Sequence, residues 1–153
     1  MFNLTSYYVF RRRVVKAILK FKGWRFRGQD PPSNHPHIIF VNPVEGALDK
    51  TQTLWMPYLT TRKSIFINLS DLENIQKHLA LGTTIIIRWR EGDSNSELES
   101  LFKLARTSRV RISACAWDTA HKAIKFHSHF KPSPYPERDM RYLSRFFVYF
   151  KRV

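Results

Sequence analysis

The chain is predicted to fold as an α/β domain, with a single-layer, mostly parallel central sheet flanked by helices and a basic amphipathic helix at the N-terminus. Two observations carry this prediction. Short apolar runs without alternation recur along the chain, as strands buried on both faces of a parallel sheet require. Between them lie segments with helical spacing, bounded by capping residues, glycines and prolines. Strands that alternate with helices are the pattern of a parallel sheet and its crossovers.

The first element is the N-terminal helix. Phe10, Val14, Ala17, Ile18 and Phe21 recur three or four apart, and Arg12, Arg13, Lys16 and Lys20 lie largely on the other side. Tyr7, Tyr8 and Trp24 stand at its ends, where amphipathic rings favour a lipid–water boundary. Such a helix suits a membrane interface, and it equally suits docking on the domain with its charges in water. An acid-free, Arg-rich amphipathic start is also the make-up of an organellar import signal; with little Ser and Met1 in place, cleavage is not expected. Gly23 ends the helix, and 24–27 supply a short edge strand.

A proline-rich loop over 29–36 leads to a buried strand at 37–42 (HIIFVN), broken by Pro43. Residues 45–58 are ambiguous, with a short helix stopped by Pro57 as one solution. A buried strand follows at 64–68 (SIFIN). Ser70 and Glu73 have capping-box spacing for a helix that ends at Gly82. Residues 84–88 (TIIIR) are strongly β-prone, and 91–94 form a turn. Ser94/Glu97 and Ser96/Glu99 offer two capping boxes for a helix to about Thr107, with Leu98, Leu101, Phe102 and Ala105 as its apolar stripe. Strands are predicted at 110–116 and 123–126, and a closing helix from Pro136 with Met140, Leu143, Phe147 and Phe150 on one face. One domain is expected overall, with 1–28 as the basic helix and edge segment and 29–153 as the α/β body.

Composition narrows the function. The 153 residues hold 43% hydrophobic residues, enough for a core and too many for a disordered polycation. The formal net charge of +14 is concentrated at the ends: residues 1–28 contribute +8, residues 29–100 contribute −3 and residues 101–153 contribute +9. Such a field attracts anionic lipid or nucleic acid. The single cysteine, Cys115, excludes an internal disulfide and a Cys-rich zinc site, and its apolar surroundings predict core packing. No apolar run reaches the ~18 residues of a membrane-spanning helix.

Reactive constellations are scarce. There is no phosphate-binding Gly-rich loop and no Gly-x-Ser-x-Gly elbow. His35/His37 and His127/His129 have the spacing that puts both rings on one side of a strand, and solvent-facing histidines are expected there in preference to a metal site. Basic and aromatic residues interleave at Trp24-Arg25-Phe26-Arg27 and Arg145-Phe146-Phe147, a pattern that can bind nucleic acid. No metal and no cofactor are expected.

The order of elements resembles the phospholipid/glycerol acyltransferase (PlsC-like, lysophosphatidate acyltransferase) superfamily over nearly the whole chain. The helix ending in Gly23-Trp24-Arg25-Phe26-Arg27-Gly28, the proline loop and the next strand look like its opening. In the family that strand ends in Pro-His, then four residues and an Asp; here Val44 stands at the His and Asp49 at the Asp. Ser64 to Leu69 are similar to the strand ending in Asp-Arg, with Leu69 at the Arg. Ile85 to Ser94 look like the strand and Glu-Gly-Thr-Arg turn: Glu91 and Gly92 are kept, and Asp93 and Ser94 replace Thr and Arg. Residues 110–116 resemble the Val-Pro-Ile-x-Pro-Val strand without its prolines, and the tail from Phe126 through Pro134 to Met140 follows the short bacterial-type members. The piece between Asp49 and Ser64 is shorter than in active relatives.

The resemblance implies a glycerolphosphate-acyltransferase-like fold in which a His deprotonates the acceptor hydroxyl for attack on an acyl thioester. Val44 has no lone pair and cannot act as that base, whose loss costs ~10²–10⁴-fold. Two phosphate-binding guanidiniums are also replaced, at Leu69 and Ser94, and Glu45 is the only nearby substitute base. The implied protein is a catalytically degenerate member, a pseudoenzyme acting as a basic structural or binding subunit. Its partner is an anionic membrane surface or a larger protein or ribonucleoprotein assembly. Its place is peripheral to a membrane, on a cytoplasmic or organellar matrix side, with the mitochondrion one option. Arg11, Arg12, Arg13, Lys16, Lys20, Lys22, Trp24 and Arg25 are the candidate contacts. Three alternatives stand: an active 1-acylglycerol-3-phosphate-type enzyme with a non-standard base and an acyl thioester substrate, a nucleic-acid-binding subunit of an organellar ribonucleoprotein, and a lipid or acyl-chain binder using the vacated pocket.

Overall fold

The structure, a computed structural model, describes residues 4–28, 36–44, 46–89 and 95–151. Helix α1 (Leu4–Phe21) leads into strand β1 (Arg25–Gly28). Strand β2 (His37–Val41), helix α2 (Ala47–Trp55), a 3₁₀ turn (Met56–Leu59) and strand β3 (Ser64–Phe66) follow. Then come α3 (Leu72–Ala80), β4 (Thr84–Arg88), α4 (Asn95–Thr107), the hairpin β5 (Arg111–Asp118) and β6 (Ala123–Phe130), and α5 (Pro136–Lys151).

The six strands form one sheet in the order β1-β6-β5-β2-β4-β3. β5, β2, β4 and β3 run parallel; β6 is antiparallel to β5 and carries β1 parallel to itself at the edge. The fold is therefore α/β with a mixed, mostly parallel sheet flanked by helices. The apolar runs read as strands because both of their faces are covered. Ile38, Phe40, Ile85, Ile87, Ile112 and Ala114 face α3, α4 and α5. Ile39, Val41, Ile86, Cys115 and Trp117 face Val15 and Leu19 of α1 and Met56 and Leu59 of the 3₁₀ turn. The N-terminal segment is thus part of the second core, not an appendage.

Three helices stop in the same way. Gly23, Gly82 and Arg109 take positive φ after α1, α3 and α4, and the next residue donates back five positions: Trp24 to Leu19 at 3.0 Å, Thr83 to His78 at 3.0 Å and Val110 to Ala105 at 2.9 Å. Gly28 has a further constraint: a Cβ there would lie 1.9 Å from the Phe126 carbonyl oxygen.

Some expectations are corrected in detail. Asp71, not Ser70, caps α3 by accepting from the Asn74 N–H at 3.4 Å; Ser70 belongs to the preceding turn, in which Asp71 N–H donates to the Asn68 carbonyl at 3.0 Å. Ser96 lies inside α4, where its carbonyl accepts from Ser100 Oγ at 2.9 Å, which removes it as a cap; Ser94 lies outside the described residues. Pro57 stands in the 3₁₀ turn that ends α2. The predicted strand at 123–126 extends to Phe130, because the hairpin with β5 continues past a bulge near Ile112.

Candidate functional site

Two regions bear on function: the carboxyl-terminal crest of the parallel strands and the outward face of α1. β2 and β4 are neighbours, and their connections leave to opposite faces: α2 and the 3₁₀ turn lie on the α1 side, α4 on the other. The crest between these strands is the switch point at which open α/β sheets bind ligands.

Hydrogen bonds tie the strand ends together at that crest. Asn42 accepts from Trp117 N–H at 2.7 Å and donates to the Trp117 carbonyl at 3.0 Å, joining the end of β2 to β5. The buried Gln52 donates to the Asn42 carbonyl at 2.8 Å, and Trp89 N–H donates to the Val41 carbonyl at 2.7 Å. Val44 is half-buried and packs on the α1-side core with Leu48 and Trp55. Asp49 is exposed, with one carboxylate oxygen 3.5 Å from Arg88 Nη2. Arg88 also donates to Thr53 Oγ1 and lies over the Phe66 ring, 4.4 Å from its centroid. Val44 and Asp49, which the resemblance sets at a His and an Asp, therefore sit at the crest, where Val44 is a packed isopropyl group and Asp49 faces Arg88. Glu45, Glu91, Gly92, Asp93 and Ser94 lie outside the described residues.

A cleft of about 390 Å³ opens beside the crest, lined by Phe66, Ile67, Asn68, Leu69, Ser70, Ile87, Arg88 and Glu97. Leu69, which the resemblance sets at an arginine, is buried in the core. Among the described residues of this lining Arg88 is the cation, 3.5 Å from Asp49, and Glu97 the acid. Asn42, Gln52 and Trp117 were not singled out from the sequence; only Asn42-Pro43 at the end of an apolar run pointed there, as a strand break.

Along α1, the face that docks on the domain is not the stripe of Phe10, Val14, Ala17, Ile18 and Phe21. The buried face carries Arg12, Val15 and Leu19. Phe10, Val14, Ala17 and Ile18, with Tyr7, are exposed, and Phe21 is 94% exposed. At 3.6 residues per turn the two faces lie about 140° apart. Among the described residues, seven of the ten exposed large hydrophobics lie on this side of the sheet: Tyr7, Phe10, Val14, Ile18 and Phe21, with Leu54 of α2 and Tyr58 of the 3₁₀ turn.

The candidate basic contacts divide accordingly. Arg13, Lys20, Lys22 and Arg25 are exposed. Arg11 is turned inward: it donates to the Pro57 carbonyl at 3.2 Å and the Arg62 carbonyl at 3.4 Å, with its guanidinium 4.6 Å from the Tyr8 centroid and 4.9 Å from that of Tyr58. Arg12 is buried, and that burial lowers its pKa; Lys16, 4.9 Å from the Phe26 centroid, is lowered by burial and then by the charges of Arg12 and Lys20. Trp24 is also withdrawn from the candidate interface. The Gly23 stop turns it inward, edge-on to Trp117 at 5.2 Å, whose indole donates to Met56 Sδ at 3.4 Å.

The remaining candidates are structural. His37 is buried, not solvent-facing, because both faces of β2 are covered; His35 lies outside the described residues. His127 meets Tyr142 and Phe146 edge-on, and His129 Nδ1 lies 3.0 Å from Arg111 Nη1, so both are half-covered by neighbours. Among the described residues no group of three His, Cys, Asp or Glu side chains could hold a metal ion. Cys115 is fully buried, which pushes its thiol pKa up and keeps it unreactive. Phe146 and Phe147 are buried and Phe26 is half-buried under Lys16, so the interleaved rings at both ends are packing groups, not stacking platforms. No helix among the described residues is long and apolar enough to cross a membrane. No family model, no curated protein and no solved structure matches this chain.

Proposed function

We propose that this protein is a catalytically degenerate acyltransferase-fold protein that binds an anionic membrane surface peripherally, through the α1 face. The observation that carries this reading is the outward apolar stripe of α1. A helix held to its domain by Arg11, Val15 and Leu19 leaves Phe10, Val14, Ile18 and Phe21 in water, where each exposed ring or branched chain is a free-energy cost that an interface removes. Arg13 and Lys20 flank the stripe, the arrangement of a helix lying in the headgroup region with its cations at phosphate level. Tyr58 and Leu54 widen the apolar strip beyond one helix.

The acyltransferase likeness fits the α/β layout and the placing of Val44 and Asp49 at the crest, and the degeneracy fits the closed Asn42–Trp117 network. The location that follows is peripheral, on a cytoplasmic or organellar matrix face where anionic lipid is exposed. Flotation with phosphatidylcholine vesicles doped with phosphatidylserine tests the binding. Phe10→Asp/Phe21→Asp is expected to lower vesicle affinity by about ten- to a hundredfold while leaving the circular dichroism spectrum unchanged. In parallel, lysophosphatidate and an acyl thioester are expected to give no turnover above buffer. Wild-type flotation by the double variant, or brisk esterification, would overturn the proposal.

A further inference from the structure

A cluster of cations that the proposed function does not use lies on α5. Tyr135, Glu137, Arg138, Arg141, Tyr142 and Arg145 line a groove of about 650 Å³. Arg138, Arg141 and Arg145 recur at helical spacing on one exposed face, about 10 Å from first to last at 1.5 Å per residue. Asp139 does not neutralise them: it is buried and accepts from the Ser133 N–H at 2.8 Å. Glu137, at the groove's end, is the one acid among its described lining residues.

Two exposed rings stand among these guanidiniums. Tyr135 is 67% exposed and Tyr142 is 45% exposed. Tyr142 is held in place, with its hydroxyl 3.1 Å from His127 Nε2 and its ring edge-on to His127 and Phe130, each at 5.2 Å. α5 packs on the opposite side of the sheet from α1. The α4 C-terminus and the α5 N-terminus lie at one end of the sheet, because β5 begins where β6 ends; Arg106, Arg109 and Lys131 therefore extend the positive field there.

We propose that this groove binds a single-stranded nucleic acid, with phosphates on Arg138, Arg141 and Arg145 and unpaired bases on Tyr135 and Tyr142. Guanidiniums along a groove follow a phosphate backbone, and fixed aromatic faces between them take bases without regard to sequence. A lipid surface would satisfy the arginines, but the described lining offers no aliphatic side chain to enter a bilayer beside them, unlike the α1 face. A duplex would present phosphates and no free base faces. A single strand uses both kinds of side chain, its phosphates on the guanidiniums and its base faces on the rings.

Fluorescence anisotropy of a labelled oligouridylate, titrated with the full chain between about 50 and 200 mM salt, tests this. Arg138→Gln/Arg141→Gln/Arg145→Gln is expected to weaken binding at least about tenfold and to flatten the log K against log salt slope by about 2, at about 0.7 per phosphate contact. Tyr135→Ala is expected to weaken binding by about fivefold or more and leave the slope unchanged. Phe10→Asp/Phe21→Asp is expected to leave both unchanged, which separates this site from the membrane face. Circular dichroism establishes that each variant is folded. Absence of binding by the wild type at low salt overturns the proposal. So does wild-type affinity in the triple-arginine variant, or equal affinity for a duplex of the same length.

Discussion

Leu19 and Phe21 are two positions apart on one helix and have opposite environments, buried in the core and 94% exposed respectively. Leu19 is fixed twice, by its packing with Met56 and Trp117 and by its carbonyl, which accepts from Trp24 N–H at 3.0 Å in the helix stop. Removing its side chain leaves a cavity against β2 and β5. Leu19→Ala is expected to destabilise the fold by about 2–5 kcal/mol, whereas Phe21→Ser changes stability by no more than about 0.5 kcal/mol. Urea denaturation reads both, and vesicle flotation is expected to respond in the reverse order. A large stability loss in Phe21→Ser would place that ring in the core and remove the basis for the membrane face. Val44 belongs to the same residue-scale account. Val44→His would put a polar ring into a half-buried apolar site, with Asp49 facing Arg88 at 3.5 Å.

At the scale of elements, the strands and most helix stops were legible because their causes are local. A strand buried on both faces must be apolar throughout, and HIIFV, TIIIR and RISACAWD are nearly so. A glycine at positive φ ends a helix wherever it stands. The docked face of α1 was not legible, because an apolar stripe at helical period has the same spacing whether it faces a core or a membrane. What decided the face was distant in sequence: the Pro57 and Arg62 carbonyls that hold Arg11, and the Trp117 and Met56 side chains that receive Leu19 and Trp24. The crest network was hidden for the same reason, since Asn42 and Trp117 are 75 residues apart. Gly28 gives an element-scale prediction. It closes β1 at φ +84 against the Phe126 carbonyl, so Gly28→Ala combines a strained backbone with a backbone clash. It is expected to cost about 3 kcal/mol, with loss of β1 from the sheet detectable as raised amide exchange at residues 123–126. Gly82→Ala, where the nearest atom is a flexible Arg62 nitrogen at 3.4 Å, is expected to cost about 1 kcal/mol.

At the scale of the whole molecule, the sheet separates two surfaces of different chemistry. On one side α1 and the 3₁₀ turn present apolar side chains with flanking cations; on the other α5 presents arginines and tyrosines. Cations that served only solubility would have no reason to sort themselves in this way. The layers between the two surfaces are packed core, so neither ligand has to displace the other. Vesicle-bound protein is therefore expected to carry labelled oligouridylate to the top of a flotation gradient, with a nucleic-acid affinity within about twofold of that in solution. The two bindings also differ in salt response. The nucleic-acid term falls steeply with ionic strength because counterions are released, whereas the vesicle term keeps an apolar part that salt does not screen. Raising salt should thus release the oligonucleotide while the protein stays afloat. Mutual exclusion of vesicles and oligonucleotide would mean that one surface serves both, and the assignment of separate partners to the two faces of the sheet would fall.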